Sequence, residues 1–348
     1  MRLEIKRPLD AEAIYYYDSA TGDCVYSSAN RFTARLQSKQ EHSFVLPVTG
    51  ATWRRWFLHS RIGRRLLRLD MASAVLNNDR SGIILLYQGC IYFYDLQARQ
   101  VLPTGKLRQC RNVLAGGIAV TAHGIYFGEY GENSAREKVP IWRSLDGGRS
   151  WNVGYEFPAG SIKHIHGVYA DPHTDRLWVT TGDFKGECYL IETDPMLGSM
   201  KYHGDGSQQW RAVHLLFEKD KIFWVMDTQL ETSYLQMFDR ASGSLERLRD
   251  FPGPAWYAKR LDDGWSVIQT TREIGPGVCT DSSHLLISRD LIEWQEVARF
   301  RKDWWPMPYF KFGVITFADG PQISTDFCFS CQALVGVDGQ SFVATICD

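Results

Sequence analysis

His166-Gly-Val-Tyr-Ala-Asp-Pro-His173, followed at once by Arg176-Leu-Trp-Val-Thr-Thr-Gly-Asp183, decides the fold. A short apolar strand meets a turn marked by Asp-Pro, then a β-branched and aromatic strand that ends on an acid. The same pattern recurs along the chain. Gly116 to Gly124 precedes Ile125-Tyr-Phe-Gly-Glu129, and Val213 to Asp220 precedes Lys221-Ile-Phe-Trp-Val-Met-Asp227. Tyr257 to Gly264 precedes Trp265-Ser-Val-Ile-Gln-Thr-Thr-Arg-Glu273, and weaker copies begin near Arg65 and Met307. A third strand follows each of the stronger pairs, as in Ile141-Trp-Arg-Ser144, Cys188 to Glu192, Tyr234 to Phe238 and His284 to Ser288.

The starts fall near residues 65, 111, 162, 210, 254 and 305. Short strands repeating about every 45 to 50 residues are the mark of a β-propeller blade. The expected fold is therefore all-β, a single propeller of four-stranded blades, six preferred and seven the alternative. Residues 61–348 would form the propeller. Residues 1–60 would be an N-terminal segment whose strands help close the ring, with 14–45 giving an outer strand or part of a seventh blade. The best helix candidate is Thr52-Trp-Arg-Arg-Trp-Phe-Leu-His59.

Composition agrees with this and removes other classes. The 348 residues carry 39 Lys+Arg against 40 Asp+Glu, a net charge of -1, which argues against a general nucleic-acid binder. Aromatic residues reach 13%, with 12 Trp beside 30 Gly, as expected of many short strands and turns. No apolar run is long enough to span a membrane. The first residues carry no apolar stretch of the secretory type, and the eight cysteines are too few for a disulfide scaffold, so a cytoplasmic setting is expected. Cys328-Phe-Ser-Cys331 lies in an alternating run and reads as a strand with buried thiols. There is no phosphate-binding glycine loop, no HExxH and no GxSxG.

One motif goes further. Ser144-Leu-Asp-Gly-Gly-Arg-Ser-Trp151 fits S-x-D-x-G-x-[ST]-W at every defined position. Partial copies are His203 to Trp210 and Ser288 to Trp294. Asp146 would take turn amides, Gly148 would adopt a backbone conformation that side chains resist, and Trp151 would pack between blades. The chain thus resembles the BNR/Asp-box repeat propellers, the broad group that includes sialidases, over roughly residues 60 to 345. The resemblance implies a propeller, and gives Ser144, Asp146, Gly148 and Trp151 structural roles. Sialidases of that group carry an arginine triad and an early Arg-Ile-Pro; here Arg7-Pro8 lacks the middle residue, so no sialidase residue is carried over.

The candidate chemistry comes from residues at equivalent repeat positions. Glu129, Asp183, Asp227 and Glu273 all follow a second strand and are expected to gather at one end of a channel, where neighbouring carboxylates raise one another's pKa values. His164 and His166, at i and i+2, share a strand face and can act as base, acid or metal ligands. Arg211 and Gln209 are the substrate-binding candidates, and Tyr257 stands at the repeat position of His166. No cofactor is expected; the alternative is a divalent metal on His164 and His166, with Asp183, His123 or His214 as third ligand. The run from Arg54 to Arg68, interleaved with Trp53, Trp56 and Phe57, is either a solvated segment or a contact for an acidic glycan or anionic membrane.

The function expected is cleavage of a glycosidic bond in an acidic oligosaccharide or glycan, by hydrolysis or elimination. The competing expectation is a propeller that binds glycan or protein without catalysis, using exposed aromatics such as those of Trp304-Trp305-Pro-Met-Pro-Tyr309.

Overall fold

The computed structural model of the chain describes residues 1–36 and 40–347. Alternating and fully apolar runs become strands that pair with their sequence neighbours, and in one case with the N-terminal strand, into seven four-stranded antiparallel sheets. The fold is an all-β propeller with four-stranded blades, and seven blades are present, the alternative the spacing allowed. In chain order the blades span 13–45, 72–106, 118–157, 164–206, 216–250, 257–301 and 314–347. Six of these begin within ten residues of the starts read from the sequence. The remaining blade, the first, is out of phase with them. Its acid, Asp18, follows the first strand, Ala13–Tyr17, and caps the turn there by accepting the amides of Ala20 and Thr21.

The chain divides into two units. The first comprises Met1–Met71, Gln229–Thr232 and Pro252–Asp348, and holds blades one, six and seven. The N-terminal strand Arg2–Leu9 pairs with Gln340–Cys347 from Arg2↔Cys347 to Leu9↔Ser341, and so completes the seventh blade from the other end of the chain. Apolar residues of blades six and seven fill one core, including Val267, Leu285, Phe327, Phe329 and Ile315. Each large apolar side chain buried there stabilises the fold by about 1.5–3 kcal/mol. Cys328 and Cys331 are both fully buried, but they enter different clusters, on opposite faces of the strand Phe327–Gln332. That separation is what i and i+3 in a strand give, and it makes them core thiols.

The arginine run also lies in this unit; its first half, Thr52–His59, is an exposed segment as expected, and the ion pairs are made by its second half. Thr52–His59 is a 3-10 helix and Arg61–Leu67 an α-helix, which Ser60 caps by accepting the Gly63 amide. Arg61 forks onto Asp338 at 2.9 and 3.1 Å and reaches Asp70 at 2.8 Å and Glu12 at 3.2 Å. Arg65 is buried and bonds Asp303, Asp338 and the Phe310 carbonyl, while Arg64 pairs with Glu12. These guanidinium groups hold the segment to blade seven. These three are therefore engaged within the unit and are not the solvated part of the run.

The second unit comprises Ala72–Thr228 and Ser233–Phe251, blades two to five. Its cores lie between successive sheets: Ile84, Phe93, Ile118 and Phe127 between blades two and three, Tyr126, Ile141, Val168 and Val179 between three and four, Trp178, Leu190, Trp224 and Phe238 between four and five. The Ser144–Trp151 turn joins the third and fourth strands of blade three. Asp146 accepts the amides of Arg149 and Ser150 and the Ser150 hydroxyl, and Ser144 Oγ accepts the Gly148 amide. Gly148 has φ +99°, and a Cβ there would stand 2.4 Å from Ile84. Trp151 packs on Phe127 at 5.0 Å.

Candidate functional site

The site is built at the start of blade four. Strand His164–Ala170 pairs with Leu177–Gly182, with a bulge between Ile165 and Gly167 that leaves His166 without a register partner. A bulge re-aims the side chain it carries. Gly182 lies across from His164, and a Cβ on it would come within 2.6 Å of His166 Cε1. The glycine is therefore what lets the second strand close on the imidazole. Asp183 follows directly.

Both imidazoles are buried, and both use Nδ1 in the same way. His164 Nδ1 donates to the Gly131 carbonyl and His166 Nδ1 to the Ala212 carbonyl, each at 2.8 Å. A carbonyl oxygen only accepts, so the proton sits on Nδ1 and a neutral ring presents a lone pair at Nε2. The two Nε2 atoms are 3.1 Å apart, and Asp183 Oδ1 lies 3.2 Å from one and 3.1 Å from the other. Three electron-pair donors thus converge on one point, and such a point calls for positive charge.

Cations surround it. Arg211 Nη2 bonds Asp183 Oδ1 at 3.0 Å and Asp227 Oδ2 at 3.2 Å. Lys163 Nζ bonds Asp183 Oδ2 at 2.9 Å and lies 3.4 Å from Glu132. Burial alone would raise the Asp183 pKa. The charge of Arg211, 3.0 Å away, pulls the other way and holds the carboxyl below the usual carboxylate range. Burial dominates at His164 and pushes its pKa down, against the pull of Asp183.

Of the residues singled out in the sequence, the second unit brings His164, His166, Asp183, Arg211 and Asp227 together. Glu129 is engaged elsewhere. Its carboxylate accepts the Arg108 amide at 2.8 Å, the Gln109 amide at 2.6 Å and Trp142 Nε1 at 2.8 Å, the work of a structural clip. Gln209 is exposed, and the neighbouring Gln208 reaches the site, donating to the Asp183 carbonyl at 2.8 Å. His123 is exposed and pairs with Asp175, and His214 stacks edge-on with Tyr169. Tyr257 and Glu273 belong to the first unit, both buried, at the start of Tyr257–Arg260 and just beyond Ser266–Gln269.

Four site residues were not read from the sequence. Lys163 and Gln208 are one position from residues that were. Tyr130 covers His164 with ring centroids 4.3 Å apart. Phe184 is 49% exposed beside Asp183, with Lys163 Nζ and the Arg136 guanidinium over its ring at 5.5 and 5.3 Å. An exposed ring next to a charged cluster is a stacking surface for a flat or ring-shaped ligand. Among the described residues, His164, His166 and Asp183 are the group whose ligand atoms lie close enough to hold a metal, within 4.8 Å of one another.

No family model matches the chain, and no curated protein does. Solved structures match throughout its length. An oligogalacturonate lyase from Vibrio parahaemolyticus aligns with a TM-score of 0.60 at 8% identity, over 100% of this chain and 97% of its own. A mitotic checkpoint complex structure aligns with a TM-score of 0.57 at 10% identity, over 99% and 95%. U3-55K aligns at 0.56 and 8% identity, over 99% and 98%. At these identities the likeness is one of fold, shared by proteins of unrelated function.

Proposed function

We propose that the protein cleaves an acidic oligosaccharide by elimination at the His164–His166–Asp183 site. The observation that carries this is the division of labour in the cluster: cations bind every carboxylate, while the imidazoles leave lone pairs unprotonated. A glycoside hydrolase needs one carboxyl kept protonated as general acid. Asp183 is ion-paired with Arg211 and Lys163, and Asp227 with Arg211. Glu129 is taken by two amides and an indole. Elimination makes a different demand. A cation steadies the sugar carboxylate, the proton on the adjacent carbon leaves for a base, its electron pair forms the new double bond as the carbon–oxygen bond beyond it breaks, and the leaving oxygen takes up a proton. Lys163 and Arg211 fit the first task, the His164–His166–Asp183 centre fits the second, and Phe184 offers the sugar a face. An oligogalacturonate lyase among the structural neighbours shows that this fold can carry such a reaction.

The Ser144–Trp151 turn, with Asp146 accepting two amides, supports the finer reading of the chain as a propeller of the Asp-box type. Exposed Trp56 and Trp304, at 79% and 78%, favour a second reading, a propeller that binds glycan without cleaving it. Incubation with oligogalacturonates decides between these. Elimination gives an unsaturated, ultraviolet-absorbing product whose formation His164→Gln and Asp183→Asn abolish. Retention of the oligosaccharide without any product supports the binding propeller.

A further inference from the structure

We infer that His164, His166 and Asp183 form the protein-derived face of a site for one divalent first-row transition metal ion. The inference bears on the proposed function, because ion-bound imidazoles no longer offer lone pairs and the base would then be a water at the ion's open position, but the geometry for it stands independently. Each imidazole is oriented from behind by a backbone carbonyl on Nδ1, at 2.8 Å in both cases. That is the outer-shell arrangement that fixes the tautomer of a metal-binding histidine and turns Nε2 toward the ion. The three donor atoms form a nearly equilateral triangle with edges of 3.1, 3.1 and 3.2 Å. An ion about 2.1 Å from each of three mutually adjacent donors has those donors about 3.0 Å apart in octahedral geometry and about 3.4 Å apart in tetrahedral geometry. The observed edges lie between these limits. Without a cation or a shared proton, two buried nitrogen lone pairs and a carboxylate oxygen face one another at contact distance, which is costly for buried groups.

The donor set also selects the ion. Two imidazoles and one carboxylate suit zinc, manganese, iron or cobalt, and suit calcium and magnesium poorly, since those prefer oxygen. Three protein ligands leave at least one coordination position open for water or a sugar carboxylate oxygen. The charge fits an anionic ligand. Asp183 and Asp227 balance Lys163 and Arg211, so the ion would give the cluster a net positive charge. Arg211 shares Asp183 Oδ1 with the proposed ion and Lys163 takes Oδ2, which a carboxylate with several lone pairs accommodates.

The test is metal binding by the full chain, measured apart from any sugar. Protein stripped with a chelator is titrated with zinc, manganese and calcium in a calorimeter, and with cobalt while its visible absorption is followed. One zinc, manganese or cobalt ion per chain is expected, with calcium at least about 100-fold weaker, and nitrogen ligation in the cobalt spectrum. His164→Gln and Asp183→Asn should each weaken zinc binding about 100-fold or more. Lys163→Ala, outside the donor triangle, should keep it and shows that the fold survives change at the site. No binding by the wild type, or unchanged binding in both His164→Gln and Asp183→Asn, overturns the inference. A bound ion without oligosaccharide cleavage would leave the site standing and remove the proposed reaction; full cleavage by chelated protein would do the reverse.

Discussion

At the scale of single residues, the site rests on Gly182 as much as on the histidines. An added Cβ would stand 2.6 Å from His166 Cε1, and neither the strand nor a ring bonded to Ala212 can move freely. Gly182→Ala should cost about 1–3 kcal/mol of stability by overpacking and lower cleavage with it. Thermal unfolding and turnover measured together check this; a stable variant with full activity would contradict it. Lys163→Ala should raise KM for oligogalacturonate far more than it lowers kcat, because the ammonium binds the anion and exchanges no proton. The His-x-His pair could be read as a pair from strand alternation, but the bulge that re-aims His166 could not. Gln208 could not, because a 3-10 turn, Gln208–Trp210, decides which of two adjacent glutamines faces Asp183. Phe184 and Tyr130 were hidden because their roles depend on exposure and ring contact, which no spacing encodes.

At the scale of the element, an aspartate closes the connection between the third and fourth strands in five blades. Asp95 accepts the amides of Gln97 and Ala98, Asp146 those of Arg149 and Ser150, and Asp194 those of Met196 and Ser199. Asp239 accepts the Ser242 amide, and Asp290 those of Ile292 and Glu293. The sequence showed the turns at Asp146 and Asp290, where flanking serine and tryptophan mark them. It missed the others because the turn needs only a carboxylate and nearby amides. The partial copy at Asp205 sits instead at the end of a fourth strand, Met200–Gly206. Asp146→Ala should destabilise the protein by about 1–2 kcal/mol at neutral pH. At Asp146 burial, which would raise the pKa, is outweighed by hydrogen bonds from Ser150, Ser144 and the Arg149 amide, so the pKa is lowered. A depressed folded-state pKa gives stability that is present above the unfolded value, about 4, and is lost as pH falls through the folded one. The difference in melting temperature between wild type and Asp146→Ala should therefore shrink on acidification below about pH 4, and a gap constant with pH would show that the carboxylate charge plays no part.

At the scale of the whole molecule, the strand order was legible from six phased copies, whereas the blade at 13–45 could be read only as an outer strand or part of a seventh blade, because its acid, Asp18, follows the first strand. The pairing of Arg2–Leu9 with Gln340–Cys347 was hidden too, since residues so far apart in sequence carry no local signal. Removing residues 1–9 strips the outer strand from blade seven and exposes the edge of Gln340–Cys347, so the truncated chain should melt earlier and aggregate more readily. Thiol labelling offers a second check. Cys279 is exposed, whereas Cys188, Cys328 and Cys331 are buried, with burial pushing the Cys188 thiol up to about 12. Cys279 should react in the native protein, and those three only on unfolding.

The most direct measurement is cleavage of oligogalacturonates in water enriched in heavy oxygen, with products read by mass spectrometry. Elimination predicts product masses that sum to that of the substrate and carry no solvent oxygen. Incorporation of one heavy oxygen per cleavage would establish hydrolysis, and with it a protonated carboxyl that the ion pairs of Asp183 and Asp227 do not provide.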